Sequence, residues 1–120
     1  MGLYIGSTVI NTRDLQKGIA FWTAALGYQV RNADSDFAVL ADPNRRWSNL
    51  SLQLTTEPKI SRNRLHLDLY ATAREAEAER LEGLGATRPE WEYEEDDDFI
   101  VLADPDGNEF CVVQSSFLQE

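Results

Sequence analysis

The sequence predicts an α+β fold built from two copies of one βαβββ module. The octet FAVLADPN begins at Phe37, and a near copy, FIVLADPD, begins at Phe99. Each copy follows the same order of features, namely an apolar strand, a segment of helical periodicity and a Leu-Gly pair. Because a chain of this length normally makes one domain, we expect a single domain over residues 1–120, with modules at about 1–57 and 63–120.

The first module begins with the predicted strand STVINT and continues into a helix. Asp14 is suited to cap the helix N-terminus, and Gly27 is suited to end the helix. Apolar residues at helical spacing predict one buried stripe, formed by Leu15, Ile19, Trp22 and Leu26. After the octet, the strand LSLQL alternates leucines with Ser51, Gln53 and Thr55, so we expect these polar side chains to face away from the helix.

The second module repeats this order with RLHLDLY, a helix and FCVVQ. Thr72 and Glu75 have the spacing of a capping box, and Gly85 follows the helix. The predicted inward face of this helix consists of Ala73, Ala76, Arg80 or Leu81, and Leu84. Pro43 and Pro105 end the octet strands, because proline has no N–H to donate to a β-ladder.

Composition limits the classes of function. The formal net charge is −10, from 21 acidic and 11 basic residues, so the long-range field repels nucleic acid and anionic lipid. No apolar run approaches the roughly 20 residues of a membrane span, and the N-terminus has no basic leader, so we expect a cytoplasmic protein. The only cysteine, Cys111, excludes an internal disulfide and a cysteine-rich metal site.

The most acidic segment runs from Glu90 to Asp98, where seven of nine residues are carboxylic. Charge runs of this kind are typical of a solvated surface. The alternative is that the segment attracts a cationic molecule.

The strand faces that point away from the helices carry polar residues. In LHLDLY the leucines are expected to pack on a helix, which places His66, Asp68 and Tyr70 on the opposite face. The same alternation places Cys111 and Ser7 on such faces. A face that entered a dry core would not collect unpartnered polar groups, so these faces are predicted to line a cavity.

The duplicated unit, the segment DLQKGIAFWTAALG, and the ending FIVLADPDGNEF with RLHLDL before it resemble the vicinal oxygen chelate superfamily, which includes glyoxalase I, bleomycin-resistance proteins and extradiol dioxygenases. The chain is most similar to the small glyoxalase-like domain branch. This resemblance implies that the two modules pair into an open, cupped mixed β-barrel with the helices outside, and that the protein is a homodimer.

The resemblance also implies four positions for a divalent metal, two in each module. Ser7 and Gln53, or its neighbour Leu52, stand at these positions in the first module, with strand alternation favouring Gln53, and His66 and Cys111 stand at them in the second. Only His66 keeps a usual ligand of the family, and no carboxylate is present to neutralise a hard ion. We therefore expect no cofactor, with a divalent metal as the weaker alternative.

Several roles stay open for the candidate residues. His66 is a candidate metal ligand, catalytic acid or base, or wall of a binding pocket. Asp68 could orient its imidazole, or pair with Arg62 or Arg64 instead. Cys111 is a candidate nucleophile, soft ligand or small buried hydrophobe. The remaining predicted substrate-binding residues are Ser7 and Gln53, which are suited to hold a carbonyl group or each other, and the two tryptophans outside the helices, Trp47 and Trp91.

Two functions remain for a protein that binds a small organic molecule. One is a glyoxalase-like lyase or isomerase, in which His66 or a metal stabilises an enediolate. Its weakness is that the carboxylate that serves as ligand and base in metal-dependent members is missing. The other is a metal-free binding or sequestering protein of the bleomycin-resistance type, whose cationic ligand would suit the net charge of −10.

Overall fold

A computed structural model describes residues 5–56 and 66–114. The chain divides into two compact units, Met1–Pro58 and Lys59–Glu120. In the described residues each unit is one mixed sheet with one helix against it, which confirms the predicted α+β class. Each sheet has two edge strands, so neither closes into a barrel by itself. No helix among the described residues is long and apolar enough to cross a membrane.

The first unit contains five elements in βαβββ order, as predicted. They are β1 (Ser7–Thr12), α1 (Leu15–Leu26), β2 (Gln29–Ala33), β3 (Phe37–Ala41) and β4 (Asn49–Leu54). The strand order is β1-β4-β3-β2, with β1 parallel to β4 and the other pairs antiparallel. The parallel pair places the first and last strands of the module side by side.

Helix α1 has the predicted caps but a different buried face. The Asp14 side chain accepts a hydrogen bond from the Lys17 N–H at 3.1 Å, and Gly27 adopts a left-handed φ of 70°. The buried residues are Leu15, Gly18, Phe21, Trp22 and Ala25, whereas the predicted Ile19 and Leu26 are only half-buried. Gly18 belongs to this buried face and lies against the sheet, since a Cβ added there would be 3.1 Å from Thr12 Oγ1 and 3.3 Å from Leu52 Cδ1.

The second unit departs from the predicted repeat. Its elements are β5 (Leu67–Ala71), α2 (Arg74–Leu84), β6 (Phe99–Ala103) and β7 (Glu109–Gln114), in the order β5-β7-β6. The prediction of three strands after the helix is wrong for the described part of this module, which has two.

An irregular segment lies where the second copy of β2 was expected. It makes one isolated bridge, between Thr87 and Ala103. Pro89 cannot donate to a ladder, and the acidic run that follows would place like charges beside one another on a strand. The Tyr93 hydroxyl instead accepts a hydrogen bond from the Val101 N–H of β6 at 2.8 Å, so this edge group is satisfied by a side chain.

The capping box predicted for α2 is wrong. The N-cap residue is Ala73, which makes no side-chain cap hydrogen bond. Gln114 of β7 occupies this role, because its Oε1 accepts from the Arg74 N–H at 3.1 Å and its Nε2 donates to the Thr72 carbonyl at 2.6 Å. A contact between distant residues has therefore replaced a local one.

The inward face of α2 is also narrower than predicted. Ala78 and Leu81 are its buried residues, whereas Ala73, Ala76 and Leu84 are exposed. Gly85 ends the helix with a φ of 121°, as expected.

The duplicated octet has a structural explanation in its Asp-Pro turns. Asp42 and Asp104 are both buried, with exposed fractions of 5% and 3%. The Asp42 carboxylate accepts from the N–H groups two and four residues later, at 2.9 and 3.1 Å, and Asp104 does the same at 2.9 Å each. Each aspartate therefore satisfies the backbone of the turn that follows it.

Candidate functional site

The face of the second sheet that points away from α2 lines a cavity of about 350 Å³. The strand register places Asp68 of β5 opposite Cys111 of β7, and Cys111 opposite Val101 of β6. His66 precedes Asp68 by two residues and lines the same cavity. The alternation that predicted a polar face here is therefore confirmed, although the functional roles of these residues stay predictions.

Three chemically different groups meet on this face. His66 Nε2 lies 3.3 Å from Asp68 Oδ1, and both side chains are about half exposed. Cys111 Sγ joins them, so that one imidazole nitrogen, one carboxylate oxygen and one sulfur lie within 4.8 Å of one another. The alternative partners proposed for Asp68, Arg62 and Arg64, lie outside the described residues.

Aromatic and aliphatic side chains form the rest of the cavity wall. Trp91 lines the cavity and packs edge-on against Phe99, with 6.5 Å between ring centroids, and its role in binding stays a prediction. Phe99 also contacts Tyr93 at 5.8 Å. Trp91 and Phe99, together with Val101 and Val113, give the cavity an apolar surface beside its polar cluster.

Charge in the cavity is predominantly negative. Besides Asp68, the carboxylates of Asp98 and Glu109 line it, and His66 is the one basic residue among the lining residues. Carboxylates held around a partly enclosed apolar space create a local potential that attracts cations. Glu109 and Asp98 were not identified as site residues from the sequence, although the acidic run that contains Asp98 was considered as a site for a cation.

The first module has a different polar arrangement at the equivalent positions. Ser7 Oγ and Ser51 Oγ share a hydrogen bond of 2.6 Å, and Ser51 is only 2% exposed. The strand pairings make Ser7 equivalent to His66 and Ser51 equivalent to Cys111, because Thr8 pairs with Leu50 as Leu67 pairs with Phe110. Gln53, which the family resemblance had placed at the second metal position of this module, lies two residues beyond Ser51 on β4.

The loop before the last strand is longer in the first module, so the residue equivalent to Cys111 is Ser51 rather than Asn49. The connection from β3 to β4 covers residues 42–48, whereas the connection from β6 to β7 covers residues 104–108. Gln53 is exposed and pairs with Asn11. Its predicted role in binding substrate remains a prediction.

Trp47 lines a separate groove of the first module, and Ser7, Ser51 and Gln53 are not among the residues of that groove. Its side chain is 57% exposed, and the guanidinium of Arg46 lies 5.9 Å from its ring centroid. Arg46 also contacts the buried Asp42 at 3.5 Å.

The turn around Asp42 sets the charge state of its carboxyl group. The Asn44 N–H, followed by the N–H and guanidinium of Arg46, stabilises the carboxylate and holds the pKa of Asp42 below its usual value, although burial acts in the opposite direction.

A hard divalent ion does not fit the residues at the four positions that the family resemblance assigns to a metal. Ser7 and Gln53 offer only neutral oxygens, and the Ser7 hydroxyl is already bonded to Ser51. None of the four positions carries a carboxylate, which is the ligand that hard ions require. The carboxylate that is present, Asp68, lies at a different position, beside His66 and Cys111.

Solved structures share this fold at low sequence identity. FosX, the fosfomycin resistance protein of Listeria monocytogenes, solved with Mn(II) and a dihydroxypropylphosphonic acid, is 16% identical with a TM-score of 0.75, over 98% of this chain and 94% of that one. The bleomycin-binding protein of Streptomyces verticillus, solved with copper(II)-bleomycin, is 17% identical with a TM-score of 0.67, over 97% and 99%. A glyoxalase/bleomycin resistance protein/dioxygenase family enzyme from Burkholderia phytofirmans is 22% identical with a TM-score of 0.65, over 89% and 94%.

Comparison with curated proteins finds no significant match. The family model of the glyoxalase-like domain, in contrast, matches residues 7–113, which is nearly the whole chain. The chain therefore belongs to the glyoxalase-like domain family.

Proposed function

We propose that the protein binds a small organic cation with an aromatic or aliphatic body in the cavity of its second module. The observation that carries this proposal is the composition of the cavity, in which apolar walls stand beside the carboxylates of Asp68, Asp98 and Glu109. The volume of about 350 Å³ is at the small end of the range for organic ligands, about 300–1,000 Å³. The ligand is therefore a compact molecule or one part of a larger one.

Trp91 and Phe99 supply the contact surface in this proposal. A cation over an aromatic face gains about 0.5–2 kcal/mol, depending on how far it is desolvated. The three carboxylates favour a cationic ligand over an anionic one, because an anion in the cavity would be repelled by three negative charges. Binding without chemistry is the activity of a sequestering protein, and this activity requires no metal.

The contact between His66 Nε2 and Asp68 Oδ1 favours a second candidate function, proton transfer on the bound molecule. A carboxylate beside an imidazole holds the ring in a fixed orientation, which a general base requires. In that case His66 would remove a proton next to a carbonyl group of the ligand, as in a lyase or isomerase. Solvent deuterium incorporated into a recovered ligand distinguishes this function from simple binding.

We further propose that the protein works in the cytoplasm as a homodimer, as its family resemblance implies. Light scattering coupled to size-exclusion chromatography of the full chain measures the mass of the particle. A mass of one chain at micromolar concentration would contradict the dimer.

The binding proposal is tested by calorimetry with three ligands that share one ring and differ in charge. Phenethylammonium, phenethyl alcohol and hydrocinnamate are added to chelator-treated full-length protein. We expect the cation to bind most tightly and the anion most weakly, with a smaller difference at about 1 M salt, where the screening length is about 3 Å.

A pair of valine substitutions tests the location of the site. Val113→Phe places a larger side chain in the cavity and is expected to abolish binding. Val9→Phe adds the same group to an exposed position of the first sheet and is expected to leave binding unchanged. Equal affinity for the three ligands, or loss of binding in Val9→Phe alone, would contradict the proposal.

A further inference from the structure

We infer that His66, Asp68 and Cys111 form a site for a thiophilic transition-metal ion such as Zn²⁺ or Co²⁺, held by the second module alone. This site differs from the divalent-metal centre that the family resemblance implies, because all its ligands come from one module and one of them, Asp68, is not at a family position. The inference does not rest on the proposed function, because it concerns binding of the metal alone.

The donor set determines the class of ion. An imidazole nitrogen, a carboxylate oxygen and a thiolate sulfur are the three ligand types that Zn²⁺ and similar ions accept in proteins, whereas Mg²⁺ and Ca²⁺ bind oxygen almost exclusively. Cys111 stands where the superfamily has a carboxylate, and Asp68 brings a carboxylate back from a neighbouring position. The net charge of the set is suitable for a divalent cation, with one thiolate and one carboxylate.

The distances fit a tetrahedral ion. Metal–ligand bonds of about 2.0–2.3 Å at tetrahedral angles place ligand atoms roughly 3.3–3.6 Å apart. His66 Nε2 and Asp68 Oδ1 are separated by 3.3 Å, slightly beyond the usual length of an N–H···O hydrogen bond. Cys111 Sγ lies within 4.8 Å of one imidazole nitrogen of His66 and one carboxylate oxygen of Asp68, and the half-exposed His66 and Asp68 side chains have room to adjust around an ion.

The backbone fixes the cluster on two hydrogen-bonded strands. Asp68 and Cys111 are register partners in the parallel β5–β7 pair. Three protein ligands leave a fourth position that faces the cavity, as in zinc sites that accept water or substrate. On binding, Cys111 coordinates as the thiolate and its proton passes to solvent.

The first module supplies matched controls. Ser7 and Ser51 occupy the positions equivalent to His66 and Cys111, but their hydroxyls satisfy each other at 2.6 Å. Gln53 stands at the position that the family resemblance assigns to a ligand. If the ion is held by the second module alone, Ser51→Ala and Gln53→Ala should leave its affinity unchanged. If the ion is held by family positions in both modules, these substitutions should weaken its binding.

The experiment is a titration of chelator-treated full-length protein with Co²⁺, followed by displacement with Zn²⁺. Thiolate ligation produces a near-ultraviolet charge-transfer band, and a tetrahedral centre produces intense visible bands. We expect the charge-transfer band and the visible bands to reach their maximum at one Co²⁺ ion per chain. Cys111→Ser should lose the charge-transfer band. His66→Gln and Asp68→Asn each remove a direct ligand. Loss of a residue that only supports a ligand weakens metal binding about 10- to 100-fold, and we expect these two substitutions to weaken it at least as much. Ser51→Ala and Gln53→Ala should bind as the unmodified protein does.

Two results would overturn the inference. One is a titration without the thiolate band. The other is a variant series in which Gln53→Ala or Ser51→Ala abolishes binding while Asp68→Asn does not. Circular dichroism of each variant establishes that it is folded, and every substitution is at a polar or partly exposed position except the small change Ser51→Ala.

Discussion

Arg45 and Gly107 occupy the same position in two copies of one turn. The N–H of each donates to the carbonyl of the aspartate three residues earlier, at 3.0 Å from Arg45 to Asp42 and 2.9 Å from Gly107 to Asp104. Both have positive φ, 55° and 87°. Within residues 5–56 and 66–114, Arg45 is the one non-glycine residue with positive φ, so the first module carries backbone strain that the second avoids.

Arg45→Gly is expected to stabilise the protein. Removing the side chain relieves left-handed strain of about 1–2 kcal/mol, and the greater freedom of glycine in the unfolded chain offsets part of this gain. We expect a rise of up to about 1 kcal/mol in the free energy of unfolding, measured with urea. Gly107→Ala introduces the strain into the second turn and should lower the same quantity by a similar amount. A loss of stability in Arg45→Gly would show that the arginine side chain makes contacts worth more than the strain.

Asp42 is expected to make stability depend on pH in the acid range. Its folded pKa lies below its usual value, so its contribution is present above the unfolded pKa of about 3.9 and is lost as pH falls through the folded pKa. The stability difference between the unmodified protein and Asp42→Asn should therefore be largest near neutral pH and shrink in acid. Urea unfolding at several pH values measures this difference, and a constant difference would contradict the assignment.

Gln114→Ala is expected to weaken the start of α2. The variant loses the acceptor for the Arg74 N–H and the donor to the Thr72 carbonyl. Loss of a helix cap costs about 0.5–2 kcal/mol, and we expect a decrease of about 1 kcal/mol in the free energy of unfolding. Thr72→Ala serves as the control and should have little effect, because the N-cap makes no side-chain hydrogen bond. A loss of stability in Thr72→Ala with no loss in Gln114→Ala would contradict this account and support the capping box.

Asp98→Asn and Glu109→Gln are each expected to weaken binding of phenethylammonium modestly. Partly exposed charge pairs contribute about 0.2–1 kcal/mol, which corresponds to a factor of up to about five in affinity. Asp36→Asn, at an exposed position of the first module, is the matched control. Calorimetry should show the weakening at low salt and much less at high salt. An equal effect of Asp36→Asn would mean that only the total charge of the protein matters.

Much of the fold could be predicted from local patterns. The octets, Asp14, Gly27 and the alternation around His66 and Asp68 are signals that depend on neighbours in sequence, and the structure bears them out. The errors arose where contacts between residues far apart in the sequence determine the local structure. Gln114 replaced a local cap, and the buried face of α1 includes Gly18, which packs closely against the sheet.

The candidate site was only partly predictable for the same reason. Alternation gives the face of a residue but not its position along the strand relative to a neighbouring strand. Ser51 and Gln53 share a face of β4, so alternation alone could not identify Ser51 as the equivalent of Cys111. Asp98 precedes β6 and Glu109 begins β7. Both line the cavity because these two strands pair, and the pairing cannot be read from a single sequence.

The most direct test of the cavity in the second module uses the three tryptophans of the chain. Each indole N–H gives its own peak in a ¹⁵N spectrum, and Trp→Phe variants assign the peaks. Phenethylammonium added to chelator-treated protein should shift the peak of Trp91, which lines the cavity, and leave the peaks of Trp22, in the core, and Trp47, in the groove of the first module, unchanged. A shift of Trp47 with Trp91 unchanged would contradict the account and place the binding site in the first module.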